Sequence, residues 1–462
     1  MSPFFNIARK TSLSSELIHK YNQPAPRYTS YPTALKFCVI DDIESGKAMY
    51  MDAEDEGPFS LYFHLPFCKS LCWFCGCTKI ISTDESLADK YIDYLEKEIA
   101  LVRPSIQIGR KAIQLHFGGG SPNFLTPRQI DRLSDIIHSN FEFEANAEMS
   151  VELDPRTLTE EKVKSFQRMG INRASIGVQD VNTKVQKAIH RIQPTAINHE
   201  TIGWLNDAGI KELNVDLIYG LPYQTPKTFA KTLDEAIAYN PDRFALFSYA
   251  HVPWSVPAQK ILERSPLPSP DEKIEMLMLA MDKFKNAGYR HIGMDHFTKP
   301  TDPLAVAQES KTLQRNFQGY SLHNNTQICS FGISAISQSR RNYRQNVKDL
   351  DKYCQALDEG NFPIERGYVL TEEDSIRRQV IMHLMCNMEL DFTALSKKLS
   401  IDFKSYFRKE MIQLRPLEND GLIRLSKSHL TVTPIGRLLI RNIAVVFDAY
   451  FGKNKSGYSR AV

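Results

Sequence analysis

The stretch Cys68-Lys-Ser-Leu-Cys72-Trp-Phe-Cys75-Gly-Cys77 decides the fold of this chain. Its first three thiols are separated by three and then by two residues. That spacing suits three corners of a four-iron cubane and leaves the fourth iron without a protein ligand. Such a site differs from the closed four-thiolate site of an electron carrier, because ligation and shielding set the reactivity of a cluster. The spacing therefore predicts a reactive iron–sulfur centre.

Closely spaced thiols also have other uses. They could bind zinc, form disulfides or be buried as small apolar side chains. Disulfides are disfavoured, because eight cysteines in 462 residues are too sparse for a disulfide framework. Zinc stays open, although two Cys-x2-Cys pairs or added histidines would suit it better. The other cysteines are isolated, and we expect ordinary core or half-buried positions for Cys38, Cys329, Cys354 and Cys386.

Length, charge and hydropathy limit the class of protein. A chain of 462 residues exceeds one small core, so we expect a large catalytic domain and a smaller second domain. The net charge of +3 argues against a general polyanion binder, including a nucleic-acid-binding protein. No apolar run reaches the length of a membrane span, and the chain has no heptad repeat. We therefore expect a cytoplasmic monomer without membrane contact.

From residue 60 onward, short apolar runs rich in β-forming residues alternate with amphipathic segments. This alternation predicts parallel βα units. The predicted strands are 60–66, 112–118, 148–154, 173–179, 212–219, 243–249 and 290–295. The predicted helices between them include 86–103, 127–139, 159–169, 195–208 and 225–239. Six such units predict an α/β fold with an open, partial (β/α)6 barrel, in which functional residues gather at the C-terminal ends of the strands.

The regions before and after the barrel have different patterns. Residues 1–58 combine a helical pattern over 13–21 with a Pro-rich, extended stretch, Arg27-Tyr-Thr-Ser-Tyr-Pro-Thr33. The C-terminal region is mainly helical, with predicted helices 392–399 and 406–420, a β wing over 422–432 and a single helix over 434–450. This order is typical of a winged helix. Because 411–417 is weakly basic, we interpret the region as a cover over the barrel mouth rather than as a DNA reader.

Polar residues stand where three predicted strands end, and a glycine run follows the second strand. Gly118-Gly-Gly-Ser121-Pro122 could be only a tight turn, but glycines also let the backbone approach a ligand and donate amides to it. Glu152, Gln179 and Asp216 end the next three strands. Because a carboxylate among apolar residues needs a donor, these groups predict a ligand with hydroxyl and amino groups.

The cysteine motif, which follows the apolar stretch 61–67, resembles that of the radical S-adenosylmethionine (SAM) superfamily. The tail Cys75-Gly76-Cys77 resembles more narrowly the oxygen-independent coproporphyrinogen III oxidases. The similarity covers nearly the whole chain, from 27–33 through Asn316-Phe-Gln-Gly-Tyr320 to 436–442. The resemblance implies two SAM molecules and one 4Fe-4S cluster, with an open iron for SAM and the ligands Cys68, Cys72 and Cys75.

The resemblance also implies residues that bind each SAM. The positions around the cluster-bound SAM are Tyr62, Gly119, Glu152 and Ile336. The positions around the second SAM are Phe74, Gly120, Ser121, Gln179, Arg191, Asp216 and Ala250. Ser121 replaces the family's usual threonine and keeps its hydroxyl, whereas Val181 replaces a more usual phenylalanine and would alter the packing of the second pocket. Cys77 is not expected to bind iron and is a candidate catalytic residue.

The resemblance implies the oxygen-independent oxidation of coproporphyrinogen III to protoporphyrinogen IX in haem (porphyrin) biosynthesis. A SAM-derived 5′-deoxyadenosyl radical takes a hydrogen atom from the β-carbon of a propionate, and loss of carbon dioxide and one electron leaves a vinyl group. Two propionates react and two SAM are consumed. The reaction needs a reductant, such as a flavodoxin or ferredoxin, and an external electron acceptor. In this interpretation residues 1–58 are a substrate lid, 59–360 the catalytic domain and 361–462 a helical cover domain.

Two other functions stay open. A haem-binding or delivery relative would not decarboxylate. Such relatives typically lack a counterpart of Cys77 and carry His-Asn-x-x-Tyr-Trp, whereas this chain reads His323-Asn-Asn-Thr-Gln-Ile328. A zinc-dependent nucleic-acid-binding protein would use the C-terminal winged helix. A further hypothesis concerns basic residues that could bind the substrate's propionates, because arginine matches carboxylate geometry. These are Arg340, Arg341 and Arg344.

Overall fold

The structure is a computed structural model that describes residues 16–17, 19–40, 42–51, 57–323, 326–452 and 458. Most of its strands belong to one mixed sheet of 13 strands. In chain order the strands are β1 (Cys38–Val39), β2 (Phe59–Leu65), β3 (Phe67–Cys68), β4 (Ile80–Ile81), β5 (Ala112–Gly119), β6 (Phe143–Leu153), β7 (Arg173–Gln179), β8 (Glu212–Tyr219), β9 (Arg243–Ser248), β10 (Arg290–Gly293), β11 (His296–Thr298), β12 (Gln314–Asn316), β13 (Gly319–Ser321), β14 (Gln327–Phe331), β15 (Ile336–Gln338), β16 (Asn342–Asn346), β17 (Ile364–Val369), β18 (Glu389–Asp391), β19 (Ile423–Leu425) and β20 (His429–Val432).

The helices lie between these strands and in the C-terminal region. In chain order they are α1 (Ile43–Met51), α2 (Ser86–Val102), α3 (Pro127–Asn140), α4 (Glu160–Arg168), α5 (Thr183–Ala188), α6 (Thr195–Asp207), α7 (Pro226–Ala238), α8 (Pro270–Asn286), α9 (Pro303–Glu309), α10 (Leu350–Asp358), α11 (Glu372–Asn387), α12 (Phe392–Leu399), α13 (Phe403–Tyr406), α14 (Arg408–Asn419), α15 (Pro434–Leu438) and α16 (Ile440–Ala444). Within the described ranges, none of the helices combines the length and the apolar character that a membrane span requires.

The centre of the large sheet is a run of parallel strands in the order β14-β2-β5-β6-β7-β8-β9. The six strands predicted between residues 60 and 249 are all present. Strand β14 adds a further parallel strand on the free side of β2. The sheet begins at β1 and ends at β10 without closing on itself. The predicted partial barrel is therefore confirmed.

The two faces of the parallel strands differ in polarity. Phe63, Phe117 and Val151 are buried in the main apolar core with the surrounding helices. The alternate positions carry polar side chains, and Tyr62 lies opposite His116 in the β2–β5 register. Because successive side chains of a strand point to opposite faces, these polar residues line the inside of the barrel. The interior is therefore a polar cavity rather than a packed core.

The predicted strand 290–295 is wrong in its extent and its direction. The chain forms β10 up to Gly293, reverses at Met294 and returns as β11, which pairs antiparallel with both β10 and β9. Met294 has a φ of 49°, a left-handed conformation that is uncommon for a residue other than glycine. A hairpin edge therefore ends the parallel run beside β9.

Residues 19–40, here called the N-terminal strap, join the sheet to the C-terminal region. Strand β1 pairs antiparallel with β17. Tyr28 and Tyr31 are fully buried in an apolar cluster formed mainly by the C-terminal helices. The Tyr343 hydroxyl donates to the Tyr31 carbonyl at 3.1 Å. Residues 16–17 and 19–21 are helical, and the remainder of the predicted helix 13–21 lies outside the described residues.

The C-terminal region begins later than the predicted boundary at residue 361. Strand β17 pairs with β16 inside the large sheet, so this sheet continues to Val369. Helices α11 to α14 follow, with a separate small sheet in the order β18-β20-β19. The mainly helical region with a β wing is as predicted.

The single helix predicted over 434–450 is wrong. It is divided into α15, α16 and a 3-10 turn, Val445–Phe447. Leu439 leaves the helical conformation with φ −111° and ψ 22°. On both sides of this break the chain stays in the C-terminal apolar cluster, which includes Leu439, Ile440 and Phe447.

Candidate active site

The loop between β3 and β4 carries the cysteine motif. The thiols of Cys68, Cys72 and Cys75 are free, and none is fully exposed. The Ser121 hydroxyl donates to Cys68 Sγ at 3.6 Å. The hydrogen bond between Cys75 and Cys77 lowers the pKa of Cys75 to about 6, whereas burial raises the pKa of Cys68 to about 11. Coordination to a cation deprotonates a thiol outright, so a bound metal would bring both groups to the thiolate form.

Two arginines contact Cys72. Arg156 Nη2 lies 3.4 Å and Arg191 Nη1 3.6 Å from its Sγ. Both arginines also donate to one carboxylate oxygen of Asp154, at 2.6 and 3.0 Å. Burial opposes ionisation of Asp154, but the two guanidinium groups outweigh it and lower its pKa to about 2. Neither Arg156 nor Asp154 was predicted as a site residue. Both come directly after the end of β6, the strand that carries Glu152.

The glycine run packs against the cysteine loop through its backbone. The Gly120 amide donates to the Leu65 carbonyl at 2.8 Å, and a methyl group at Gly120 would lie 2.6 Å from the backbone carbonyl of Pro66. Gly119 has a φ of 110°, and a methyl group there would lie 2.5 Å from the His64 ring. The run is thus required for close approach of two backbone segments.

A cavity of about 370 Å³ lies beside the cysteine loop, inside the barrel. We call it the cluster-side cavity. Its lining includes all four residues predicted around the cluster-bound SAM, namely Tyr62, Gly119, Glu152 and Ile336, and the predicted catalytic residue Cys77. It also includes residues that were not assigned a role, namely His64, His116, Phe317 and Gln318. The last two form the turn of the β12–β13 hairpin, inside the motif at 316–320.

The polar groups of this cavity have defined charges. His64 Nε2 donates to the Thr78 carbonyl at 2.9 Å, so its Nδ1 accepts from the Tyr62 hydroxyl at 3.2 Å. Burial lowers the pKa of His64 and keeps it neutral. Burial opposes ionisation of Glu152, but the hydrogen bond from His116 Nε2 at 3.3 Å and the Gly119 amide outweigh it, so the pKa of Glu152 is lowered. Glu152 is therefore an anionic acceptor.

The residues predicted around the second SAM form separate groups. Gln179, with a φ of 65°, and Arg191 converge beside Gly177. Gln259, which was not predicted, donates to the carbonyls of Phe74 and Ala250 at 3.0 and 3.2 Å and so ties these two positions together. Ala250 does not line the cluster-side cavity.

Asp216 is the remaining carboxylate of the predicted set. Its oxygens accept from the Asn214 amide at 2.7 Å and from the Ser175 hydroxyl at 3.1 Å. Burial, and then the negative charge of Glu152, raise its pKa to about 7. A protonated Asp216 near neutral pH differs from the ionised Glu152, although the sequence predicts both alike as ligand acceptors.

Comparison with known proteins gives two matching family models and several similar full-length relatives. A sequence model of the Radical SAM superfamily matches residues 62–236, and one of the HemN C-terminal domain matches residues 370–439. The oxygen-independent coproporphyrinogen III oxidase of Helicobacter pylori (strain J99) is 42% identical over 98% of this chain and 100% of that relative. The Escherichia coli (strain K12) protein of the same name is 44% identical over 94% of each chain.

A solved structure agrees with these relatives. Its description is "Coproporphyrinogen III oxidase (HemN) from Escherichia coli is a Radical SAM enzyme". The two structures superimpose with a TM-score of 0.88 at 43% sequence identity, and the match covers 92% of this chain and 98% of that chain. The chain belongs to the oxygen-independent coproporphyrinogen III oxidase family. Because this family is part of the radical SAM superfamily, a 4Fe-4S cluster and SAM are its cofactors.

The cysteine loop of this coproporphyrinogen oxidase family member fits an anionic cluster. Two guanidinium groups and one hydroxyl donate toward the thiols of Cys68 and Cys72, and hydrogen bonds to the sulfurs tune such clusters. Within the described ranges, no three His, Cys, Asp or Glu side chains are grouped closely enough for a single metal ion. The donors toward the thiols suit the negative charge of a bound cluster.

A second cavity, of about 330 Å³, lies between the barrel of this oxidase family member and its C-terminal region. We call it the strap cavity, because Pro24 and Arg27 of the N-terminal strap line it together with Ala250 and Arg441. Arg27 forms an ion pair with Asp295 at its wall. Ala250, predicted at the second SAM, thus faces the strap cavity.

Two predictions about surrounding residues change, those for Arg344 and Cys38. Arg344 is buried and donates to the Met49 carbonyl at 2.7 Å, so it does not belong to a basic group at a site opening with Arg340 and Arg341, which are exposed. Cys38 is exposed rather than half-buried, because it lies on a strand of two residues at the edge of the sheet. Val181 packs against the main apolar core.

Proposed function

We propose that this chain catalyses the anaerobic oxidative decarboxylation of two propionates of coproporphyrinogen III to vinyl groups, which gives protoporphyrinogen IX in porphyrin synthesis. One observation carries the proposal. The cysteine loop opens onto a cavity lined by Tyr62, Cys77, Glu152 and Ile336, in a chain 42% identical along nearly its whole length to oxidases of this name. Both the chemistry of the site and the similarity therefore point to one reaction.

Three thiolates would hold the cluster in this proposal, namely Cys68, Cys72 and Cys75. When bound, the cluster and SAM supply a carbon radical that can take a hydrogen atom from an unactivated carbon. The protein supplies orientation and exclusion of water. Arg156 and Arg191 offset the negative charge of the cluster through their contacts with Cys72, and Asp154 keeps both guanidinium groups in place.

We assign Tyr62, Gly119, Glu152 and Ile336 to the cluster-bound SAM. Glu152 is ionised and can accept from the ribose hydroxyls or the ammonium group. The ring of Tyr62 stacks on His116 with centroids 5.8 Å apart, which fixes one wall of the cavity. The polar groups here are held by neighbours before a ligand arrives, so little reorganisation is needed on binding.

We assign the second SAM to the remaining predicted residues, which are Phe74, Gly120, Ser121, Gln179, Arg191, Asp216 and Ala250. The support is local: Gln259 fixes Phe74 beside Ala250, and Arg191 lies between Cys72 and the end of β7. One Arg191 atom, Nε, is buried and makes no hydrogen bond within the described residues. A ligand acceptor at this position would satisfy it.

Cys77 is the proposed catalytic residue that is not an iron ligand. Its side chain is exposed to the cluster-side cavity and is hydrogen-bonded to Cys75. We expect Cys77→Ser to keep the iron content and to lower turnover by about a hundredfold or more, the scale at which loss of a positioned proton donor acts. Full turnover by this variant would remove the assignment.

The same proposal covers the roles of the N-terminal segment and the two domains, and the partners of the enzyme. The N-terminal segment acts as a substrate lid, supported by the contribution of Pro24 and Arg27 to the strap cavity. Residues 59–360, extended by β17 to Val369, act as the catalytic domain, and the rest of 361–462 acts as its cover. The enzyme works as a cytoplasmic monomer with an external electron acceptor, and a small acidic electron carrier such as a flavodoxin or ferredoxin reduces the cluster. It uses neither a membrane nor a nucleic acid.

The test is an anaerobic turnover assay with reconstituted cluster, reductant, SAM, an electron acceptor and coproporphyrinogen III. We expect protoporphyrinogen IX to form together with 5′-deoxyadenosine. Deoxyadenosine without new vinyl groups, combined with tight haem binding, would favour a haem-delivery protein instead. The chain lacks the Tyr-Trp pair of such proteins at 327–328 and has Cys77, so we do not expect that outcome.

A further inference from the structure

A second group of basic side chains lies outside the cluster-side cavity and the strap cavity. Arg315, Arg340, Arg378 and Lys398 line a cleft of about 90 Å³ between the strap, β12, the β15–β16 turn and α11. No Asp or Glu is among the described residues that line it. We call it the basic cleft. A concave site with positive charge only is built for an anion.

Arg315 is the least satisfied of these side chains. It is 7% exposed, yet its Nε and Nη1 make no hydrogen bond within the described residues. Its remaining contacts are neutral: Nη2 donates to the Arg27 carbonyl at 3.4 Å, and the guanidinium lies 4.8 Å from the Tyr320 ring centre. A buried cation without an anion is costly, and an oxyanion on the free face of the guanidinium would remove that cost.

Arg378 and Lys398 add charge that no carboxylate offsets. Arg378 donates to the Tyr343 hydroxyl and to the Arg340 carbonyl, both neutral acceptors. Neither Arg378 nor Lys398 forms an ion pair with any residue in the described part of the chain. Lys398 is exposed, so the cleft opens to the surface while Arg315 closes its inner end.

The size of the cleft limits the ligand. Its volume of about 90 Å³ is several times the roughly 10–15 Å³ that a single water molecule needs in a cavity. A carboxymethyl or phosphate group fits this space, whereas a tetrapyrrole ring does not. The occupant is therefore an oxyanion, either free or carried on a side arm of a larger molecule.

The cleft shares a wall with the cluster-side cavity. Gln338 lines the cleft and Ile336 lines the cavity, two residues apart on β15 and so about 6.6 Å along the strand. On the β12–β13 hairpin, Asn316 lines the cleft while Phe317 lines the cavity. The cleft and the cavity are therefore separated by one strand and one hairpin.

We propose that the basic cleft binds the carboxylate of a substrate propionate that is not reacting, while the reacting propionate lies in the cluster-side cavity. This inference rests on the proposed function for the identity of the substrate. It replaces the predicted trio of Arg340, Arg341 and Arg344, of which only Arg340 lines the cleft. Bidentate binding by arginine is suited to a carboxylate.

The direct test measures binding of coproporphyrin III, the stable oxidised form with the same four propionates, to the full chain by fluorescence titration. We expect Arg378→Gln to raise Kd about tenfold, the effect of losing one charge-assisted hydrogen bond. Lys398→Gln should raise Kd about threefold, since an exposed charge is screened. The matched control is Lys397→Gln, an exposed lysine on the same helix that does not line the cleft, which should change Kd less than about twofold.

Arg315→Gln should have the largest effect, but it changes a buried side chain and its folding must be checked by thermal denaturation. If the Arg315→Gln variant does not fold, the Kd values of Arg378→Gln and Lys398→Gln still test whether the cleft binds the carboxylate. In turnover, these two variants should raise KM for coproporphyrinogen III with little change in kcat. Formation of 5′-deoxyadenosine without substrate should be unchanged, because the cleft does not contact the SAM positions.

The results separate three cases. Porphyrin Kd values for Arg378→Gln and Lys398→Gln equal to that of Lys397→Gln would overturn the proposal. Thermal stabilisation by inorganic phosphate that both variants lose, with unchanged porphyrin affinity, would also overturn it and identify a site for free oxyanions. If the wild type makes no protoporphyrinogen but the cleft variants still weaken porphyrin binding, the proposed reaction fails while the carboxylate site stands.

Discussion

Asp154 is the residue on which the charges around Cys72 depend. It accepts from both Arg156 and Arg191, and its side chain is 10% exposed. We expect Asp154→Asn to lower the free energy of unfolding of the iron-free chain by about 3 kcal/mol, because two buried guanidinium groups lose their carboxylate. Urea denaturation measures this, and iron content after reconstitution should fall as well.

The control for this change is Asp131→Asn. Asp131 also pairs with an arginine, but both side chains of the Asp131–Arg168 pair are about half exposed. Its loss should change stability by less than about 1 kcal/mol. Equal effects of the two substitutions would contradict a special role for Asp154.

Asp216 should make SAM binding depend on pH. Its pKa is raised to about 7, above about 3.9 in the unfolded chain, so its ionisation destabilises the ligand-free fold as pH rises between these values. A cationic ligand favours the ionised form and is therefore bound more weakly at low pH. We expect SAM at the second site to bind about tenfold more tightly at about pH 7 than at about pH 5.5, measured by calorimetry.

Asp216→Asn should remove this pH dependence and weaken binding. Glu152 cannot supply the same slope, because its pKa is lowered and it stays ionised over this range. The same pH slope in the Asp216→Asn variant would assign the titration to another group.

Individual residues differ in how well their sequence reveals their role. The cysteines are recognisable because their spacing is local. Asp154 and Arg156 follow Glu152 directly, and a polar segment after a strand is a usable signal. Gln259 is not predictable, since its amide reaches the Phe74 carbonyl 185 residues away. A contact over that distance has no local signature.

At the scale of elements, the turn after β5 is held by backbone contacts that leave no room for a side chain. A methyl group at Gly120 would meet the backbone of Pro66 at 2.6 Å. We expect Gly120→Ala to lower stability by about 1–3 kcal/mol and to reduce iron content, because backbone must move to accept it. Thermal denaturation and iron analysis measure the two effects.

The matched substitution is Gly203→Ala. Gly203 lies in α6, and a methyl group there would have no heavy atom within 4 Å. This change should raise stability by about 0.5–1 kcal/mol, because alanine favours a helix more than glycine does. Destabilisation at both positions would contradict the packing argument.

Strands and helices were predictable from the sequence where their burial leaves a regular pattern of apolar residues. The six parallel strands are recognisable as apolar runs because helices cover one face, and Glu152, Gln179 and Asp216 lie on β6, β7 and β8. The reversal at Met294 was missed because nothing in a methionine indicates a positive φ. The break at Leu439 was missed because an apolar segment buried on several sides resembles a helix in its local sequence.

At the scale of the whole molecule, Tyr31 links the sheet to the C-terminal region. Its carbonyl accepts from Tyr343, and its hydroxyl accepts from the Ala449 amide at 3.0 Å. Because its ring is completely buried, Tyr31→Ala should lower the free energy of unfolding by about 3–5 kcal/mol, the usual cost of deleting a buried aromatic ring. Hydrogen exchange in α11 should accelerate, since α11 packs in the same cluster.

Tyr406→Ala serves as the comparison, because Tyr406 is 40% exposed. It should cost less than about 1 kcal/mol, as do most exposed substitutions. Unchanged exchange in α11 for Tyr31→Ala would mean that the strap does not stabilise the C-terminal region. The Pro-rich strap sequence suggested a lid but could not indicate this role, since its partners lie more than 300 residues away.

The docking of the N-terminal strap sets an order of events during synthesis. The strap leaves the ribosome before β17 and the C-terminal cluster that receive it. Its contacts span up to 425 residues, and such distant pairings form slowly because the intervening chain must be ordered first. Tyr28 and Tyr31 therefore stay exposed to solvent while the barrel folds. The strap therefore docks only after the C-terminal region that receives it has been made.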